Sequence, residues 1–238
     1  MGNNKIFVLT DNLQQYISFK KIIERKKINN LFYFYCSPGN ITLKDKLEEI
    51  NINEHYQNII NEFQMAFSIH SKQLFPKVLV SSLLCINVHP GHNPENRGWY
   101  PQVFSIIENK IIGATIHVMD EKLDNGPIIG RKEVEKYIWD TSESLYNRVL
   151  KAEIELLDKH LISIINNDFS TFLPEKSGRL YLKKDFNNLC EFEFNAEFSS
   201  FYNRIRALSH GEHNNAYFVD PETKKKIFFK IEIIKEGK

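Results

Sequence analysis

The chain has 238 residues, 42% of them hydrophobic, and its 31 basic and 30 acidic side chains leave a formal net charge of +1. That size and composition fit one domain with a smaller appendage around a useful core, and the balanced charge offers no global field for nucleic acid or a membrane surface. Three widely spaced cysteines, Cys36, Cys85 and Cys190, with no CxxC, argue against a disulfide framework or a structural zinc site.

An apolar run at 6–10 follows the N-terminus almost at once, which leaves no room for a secretory signal. Ile6 stands where a myristoylation signal requires Ser or Thr, so the expectation is a soluble cytoplasmic protein. A helical pattern covers 13–26, and the aromatic run LFYFYC at 31–36 reads as a second buried strand. Residues 43–50 are expected to be helical, as is part of the stretch after His55. Residues 78–84 read as partly helical or irregular, 85–89 as a strand end and 112–119 (IGATIHVM) as a strand. The longest mainly apolar run, 78–88, is too short to span a bilayer.

Strands alternating with helices predict an α/β fold, a Rossmann-like and mainly parallel sheet with helices on both faces. Ligands of such sheets bind beyond the carboxyl ends of the strands. A long helix is expected over 142–166, capped by Asp140 with Glu143 three residues on, in the manner of a capping box. Its stripe of Leu145, Val149, Leu156 and Leu161 marks a packing helix. Beyond Asn167 the runs RLYL, CEFEF, AYFVD and KIFFKIEII alternate with polar turns, with a helix expected over 198–209. Pro221 and Glu222 turn a hairpin between 216–219 and 227–234. The expected division is a main domain over 1–169 and a small C-terminal α+β subdomain over 170–238 that ends in this hairpin. Its Phe228, Phe229, Ile231 and Ile233 would face either a second copy, in a homodimer, or the parent domain.

The chemistry concentrates in INVHPGHNPENRGWYPQVFSIIENKIIGATIHVMDEKLDNGPII, residues 86–129. Two-residue spacing in a strand places the Asn87 carboxamide and the His89 imidazole on one face. Asp124-Asn125-Gly126-Pro127 is a tight turn into an apolar run. Between them, Pro94, Gly98 and Pro101 shape an irregular loop that carries Arg97, Trp99 and Tyr100. Taken singly, Asn87 reads as a loop cap, His89 as a satisfied buried histidine and Asp124 as a turn residue. His89, His92, His117, His210 and His213 have no recognised spacing with carboxylate or cysteine ligands, so no metal is expected.

Asn-x-His-Pro followed by Asp-x-Gly-Pro, with 35 residues from His89 to Asp124, resembles the folate-dependent formyltransferase family. The loop GHNPENRGWYPQVFSI and the tail RIRALSHGEHNNAYFVDPETKKKIFF resemble the branch that formylates nucleotide-linked aminosugars. The resemblance implies transfer of a formyl group from 10-formyltetrahydrofolate to a dTDP-linked aminodideoxysugar, with dTDP-4-amino-4,6-dideoxyglucose as the first choice. Hydrolysis of formyltetrahydrofolate, or another amine as acceptor, is the alternative. It implies catalysis by Asn87, His89 and Asp124, with Asp124 either orienting His89 or relaying protons. For the folate it implies Ser71, Lys72, Gln73 and Leu74, and the stretch from Asp120 to Asp124, with Asp120 and Leu123 in it. For the nucleotide sugar it implies Asn12, Lys77, Arg97, Gly98, Trp99, Tyr100, Gln102 and Tyr217, with Arg97 or Lys77 on the diphosphate and Trp99 or Tyr217 against thymine.

Overall fold

A computed structural model describes residues 5–174, 176, 178–193 and 198–234. The first half runs β1 (Lys5–Thr10), α1 (Leu13–Lys26), β2 (Leu31–Cys36), β3 (Glu48–Glu49), α2 (Ile52–Glu62), β4 (Met65–Ile69), α3 (Lys77–Ser82) and β5 (Leu84–His89). Then come β6 (Arg97–Gly98), α4 (Pro101–Ile107), β7 (Ile112–Val118), β8 (Ile128–Val134) and α5 (Ser142–Ile165). The C-terminal part holds β9 (Leu180–Tyr181), α6 (Lys183–Cys190), α7 (Phe198–Leu208), β10 (Tyr217–Val219) and β11 (Lys226–Phe228).

Seven strands form one sheet in the order β3-β2-β1-β4-β5-β7-β8. The pairings from β3 through β5 are parallel, and those of β5 with β7 and β7 with β8 are antiparallel. The sheet is thus the mainly parallel, Rossmann-like one the sequence predicts, with a small antiparallel hairpin sheet of β10 and β11 near the C-terminus.

The period of two in each strand explains the layers. In β1, Ile6 and Val8 pack with Phe19 and Ile22 of α1 and Leu157 and Leu161 of α5. Phe7 and Leu9 point the other way, onto Ile52 and Ile59 of α2 and Leu79 of α3. A strand covered on both faces has no polar side, hence the unbroken apolar run. Each such buried side chain contributes about 1.5–3 kcal/mol relative to exposure. The strand order turns back between β1 and β4, which opens a crevice at their carboxyl ends.

Local chemistry sets several boundaries. Asn12 caps α1 by accepting from the Gln15 N–H at 3.1 Å. Lys27 closes the helix in the left-handed region at φ 52°. Residues 43–50 are not helical. The Asn40 Oδ1 accepts from the Thr42 and Leu43 N–H groups, both at 3.2 Å, and this local competition yields a run of turns that leads into β3. The long helix is capped by Thr141, not Asp140. Thr141 Oγ1 accepts from the Ser144 N–H at 3.3 Å, and Ser144 Oγ accepts from the Thr141 N–H at 3.1 Å. Asp140 is a buried knot instead, taking the Tyr137 N–H at 2.7 Å and pairing with Arg148.

Helices α4 and α6 and strand β4 lie where the sequence reading placed none. The described part of the run 190–194 forms no strand, since α6 ends at Cys190 and Glu191 makes one bridge, while Phe194 lies outside the described residues. A second apolar cluster joins Val103 and Phe104 of α4 and Leu145 and Val149 of α5 to Phe186, Phe192, Ile205 and Leu208. Phe229 and Ile231 pack on this cluster, whereas Ile227 and Phe228 stand outward. The three cysteines are free thiols, and no described helix is long and apolar enough to cross a membrane.

Candidate active site

Strand β5 presents Asn87 and His89 on one face at its carboxyl end, and antiparallel β7 sets His117 opposite Asn87 and Thr115 opposite His89. The chain leaves β7 and folds back through Asp124, which adopts the left-handed region at φ 48°, a conformation that Asp tolerates better than most residues. The turn presses so close to β7 that a Cβ on Gly126 would stand 1.8 Å from the Val118 carbonyl oxygen. Only glycine fits there, and this contact delivers the Asp124 carboxylate to the end of β5.

Asn87 Nδ2 donates to Asp124 Oδ1 at 2.9 Å and lies 3.2 Å from His117 Nε2. His117 Nδ1 faces the Val118 carbonyl at 2.9 Å. A carbonyl only accepts, so Nδ1 carries the proton and Nε2 receives the second amide hydrogen of Asn87. The other carboxylate oxygen, Asp124 Oδ2, takes the Gly98 N–H at 2.9 Å and lies 3.5 Å from His89 Nδ1. His89 Nε2 donates to the Asn96 carbonyl at 2.8 Å. His89 and Asp124 are both buried. Burial by itself would push the Asp124 carboxyl up. The His89 imidazole and the Gly98 N–H outweigh it and hold the group well below the usual carboxylate range, so Asp124 is an anion. The cluster is therefore a carboxylate with an amide and two imidazoles around it, and both donor hydrogens of Asn87 and both nitrogens of His89 are engaged.

The loop between β5 and α4 is built onto this cluster. Thr115 Oγ1 donates to the Gly91 carbonyl at 2.7 Å, and Asn93 Nδ2 donates to the Asp124 carbonyl at 3.1 Å. A Cβ on Gly91 would meet His89 Nε2 at 2.4 Å and the Asn96 carbonyl at 2.6 Å. His117, Asn93 and Asn96 are residues that the sequence reading did not single out for the site. The two-residue alternation through Thr115 and His117, directly ahead of the Asp-Asn-Gly turn, was the signal available for His117.

The other nominated residues fall into two groups. Some serve the scaffold. Arg97 is buried, with Nη2 on the Leu123 carbonyl at 2.8 Å and Nη1 toward the Gly178 carbonyl at 3.4 Å, so its guanidinium is turned inward. Gly98 sits at φ 92°, where a Cβ would stand 2.1 Å from the Tyr181 carbonyl. Gln102 is buried and donates to Ser142 Oγ at 3.2 Å. The Gln73 amide ties Ser37 Oγ at 3.0 Å and the Ile50 carbonyl at 2.9 Å, and the Lys72 N–H reaches Asp11 Oδ2 at 2.7 Å. Ser71 Oγ accepts the Gln73 N–H at 3.0 Å, and Asp120 Oδ1 accepts the Lys122 N–H at 2.8 Å.

The second group is partly or fully exposed. Leu74 and Trp99 are exposed, Lys77 pairs with Glu121 at 2.7 Å, and Tyr100 stacks on Phe186 with ring centroids 4.1 Å apart. Tyr217 lies in β10 under the ammonium of Lys226, 4.0 Å from the ring centroid. Asn12 follows the carboxyl end of β1, where its side chain caps α1. Among the described residues, no group of three or more His, Cys, Asp or Glu side chains is arranged to hold a metal ion.

Known proteins share this architecture. Residues 14–161 match the formyl transferase family, and residues 185–235 match the N-formyltransferase dimerization C-terminal domain. The chain is 38% identical to a dTDP-4-amino-4,6-dideoxyglucose formyltransferase of Mycobacterium tuberculosis (strain H37Rv), over 95% of each protein. It superposes on the crystal structure of a 4-N formyltransferase from Francisella tularensis with a TM-score of 0.92 and 40% identity, covering 99% of this chain and 100% of the other. A sugar N-formyltransferase from Shewanella sp FDAARGOS_354 superposes with a TM-score of 0.92 and 33% identity, covering 98% and 99%.

Proposed function

The chain belongs to the formyl transferase family and is an N-formyltransferase, and from that premise we propose that it transfers the formyl group of 10-formyltetrahydrofolate to the amine of a dTDP-linked aminodideoxysugar, with dTDP-4-amino-4,6-dideoxyglucose as the preferred acceptor. The observation that carries this reading is the buried Asn87–His89–Asp124 cluster at the carboxyl end of β5, in a chain alike over nearly its whole length to an enzyme named for that sugar.

The chemistry follows from the groups. A neutral amine attacks the formyl carbon and gives a tetrahedral oxyanion. The Asn87 amide donates to that oxygen once the incoming substrates draw its hydrogens from Asp124 and His117. To act as base, His89 first releases to solvent the Nε2 proton that it donates to the Asn96 carbonyl, which leaves a neutral ring protonated at Nδ1 toward Asp124. Nε2 then takes a proton from the attacking nitrogen and returns it to the departing folate nitrogen. Asp124 holds the ring and stabilises the imidazolium that forms.

Ser71, Lys72, Gln73 and Leu74, with the segment from Asp120 to Leu123, are our candidates for the folate pocket, in which the Ser71, Gln73 and Asp120 side chains hold the backbone in shape. Asn12, Lys77, Trp99, Tyr100 and Tyr217 are assigned to the nucleotide sugar, with Arg97, Gly98 and Gln102 shaping the loop that carries them. Residues 170–238 are assigned as a subdomain that pairs two copies, and the outward Ile227 and Phe228 are its candidate contact. Light scattering tests this pairing: a solution mass of one chain removes it.

The decisive assay supplies 10-formyltetrahydrofolate with and without dTDP-aminosugars and follows tetrahydrofolate and the formamido sugar. Turnover that depends on the amino sugar is expected. Formate release at the same rate with no sugar present would replace this reading with a hydrolase.

A further inference from the structure

A second polar cluster, outside the Asn87–His89–Asp124 group, occupies the crevice where the strand order turns back. Ile69 of β4 lies beside Val88 of β5, so His70 and His89 follow at neighbouring strand ends. His70 sits in the left-handed region at φ 53°, an uncommon place for a histidine without a constraint. Its Nε2 lies 2.6 Å from Oε2 of the fully buried Glu153, and its Nδ1 lies 3.0 Å from the Tyr146 hydroxyl. Glu153 Oε2 also takes Gln15 Nε2 at 2.6 Å. A carboxylate–imidazole–hydroxyl chain thus runs from the core to the crevice, between α1 and α5. The mechanism above uses none of it.

Donor and acceptor logic fixes what this chain offers a ligand. A carboxylate only accepts, so His70 carries its proton on Nε2, and in the neutral ring Nδ1 is a lone pair that receives the Tyr146 hydrogen. Asn12 Oδ1 is held by the Gln15 N–H at 3.1 Å. The Tyr146 oxygen, having given its hydrogen to His70 Nδ1, keeps lone pairs that can accept. Burial pushes the Tyr146 hydroxyl up, so it stays a neutral phenol. Nearby, Gln15 Oε1 and Glu153 Oε1 are buried acceptors without partners, and the Asp11 carboxylate, already holding the Ser37 and Lys72 N–H groups, adds negative charge beyond the end of β1. The crevice is rich in acceptors. Such a place repels a diphosphate and rewards a donor, because an acceptor facing an anion is left unpaired and desolvated.

We propose that this crevice holds the hexose of the acceptor and not its diphosphate, with the Tyr146 oxygen accepting a hydrogen bond from a ring hydroxyl. The proposal rests on the nucleotide-sugar reading above and makes Tyr146 a specificity-determining residue. His70 and Glu153 are its positioning residues. Tyr146 stands on the α5 side of the sheet, while Asn87 and His89 point to the α2/α3 side. A hexose lying across the strand ends therefore has its hydroxyl anchored on one side and its amine presented on the other. The diphosphate then extends away from Glu153 and Asp11.

The test compares wild type with Tyr146→Phe, and with Glu153→Gln as a second variant that leaves the tyrosine in place. Binding of dTDP and of the dTDP-aminosugar is measured by calorimetry, and thermal unfolding checks the fold. Tyr146→Phe is expected to weaken the amino sugar about tenfold, the size of one such hydrogen bond. The dTDP affinity and the KM for 10-formyltetrahydrofolate should not change. The loss should vanish on an acceptor lacking the hydroxyl, found by trying the 2-deoxy and 3-deoxy sugars in turn. Glu153→Gln should weaken the amino sugar in the same direction and also spare dTDP. The proposal is overturned if dTDP weakens as much as the amino sugar, which would put the diphosphate in the crevice. It is equally overturned if both deoxy sugars still show the full loss. A wild type that binds the amino sugar but never formylates it refutes the proposed function and leaves this binding test standing.

Discussion

Asn87 and Asp124 are joined by a 2.9 Å hydrogen bond from Nδ2 to Oδ1 that spans the end of β5 and the turn after β7. The bond fixes which way the amide faces, since the opposite orientation would set the amide oxygen against a carboxylate. It also means the oxyanion donor is prepaid in direction but not free in the unliganded protein. Replacing His89 with Asn should lower kcat by about 10²- to 10⁴-fold, the usual range for a lost general base. Asn87→Ala should cost about 3 kcal/mol of transition-state stabilisation. Single-turnover rates with saturating folate and sugar measure both. A loss confined to KM would assign these residues to binding alone.

The depressed Asp124 carboxyl makes a statement about acid stability. Its pKa in the folded chain lies below the ordinary value of about 3.9 in an unfolded chain. The stabilisation is therefore fully present above that value. It is lost as pH falls from there toward the folded value, where protonation breaks the contacts with His89 and Gly98. Unfolding midpoints of wild type should drop steeply below about pH 4. Asp124→Asn, which has no proton to bind, should start lower at neutral pH and fall less steeply. Parallel curves for the two proteins would remove Asp124 from this role.

How much of this was legible beforehand depended on the range of the interaction. Asn87 and His89 were legible because strand spacing is local, and Asp124 because an Asp-Asn-Gly-Pro turn is local. Strand β1 and helix α1 came through for the same reason, one as an apolar run and one as a stretch of helical pattern. Residues 43–50 misled because Leu43 and Leu47 have helical spacing, while the Asn40 side chain satisfies the backbone that a helix would need. The direction of Arg97 could not be read at all. A loop arginine points at a ligand or at carbonyls according to what the distant segment around Gly178 brings to it. The same holds for His89 Nε2, whose partner is a backbone carbonyl that carries no residue-type signal.

The close approach of Gly126 to β7 predicts a coupled loss. A methyl at this position would have to push the turn off the Val118 carbonyl, 1.8 Å away, and backbone cannot yield as a side-chain tip can. Gly126→Ala should cost about 3 kcal/mol of stability and displace Asp124, so activity should fall even in the fraction that remains folded. Activity per folded molecule, with the folded fraction taken from circular dichroism, separates the two effects. Unchanged specific activity would show that the turn tolerates displacement without moving the carboxylate.

Thr141 and Glu143 offer a sharper contrast, because the sequence favoured Asp140 and Glu143 as the cap and the structure uses Thr141 with Ser144. The Thr141 hydroxyl satisfies one of the free N–H groups of the first turn of α5. Its loss leaves that group to solvent at a helix start that also carries Ser142, the partner of Gln102. Thr141→Ala should therefore lower stability by about 1 kcal/mol. Glu143 is exposed and makes no capping bond, so Glu143→Ala should change stability by less than about 0.5 kcal/mol. Chemical denaturation of the two variants decides between the caps. Equal losses would mean that the charge of Glu143 near the positive end of the helix dipole matters as much as the hydroxyl. A larger loss from Glu143→Ala would restore the cap that the sequence suggested.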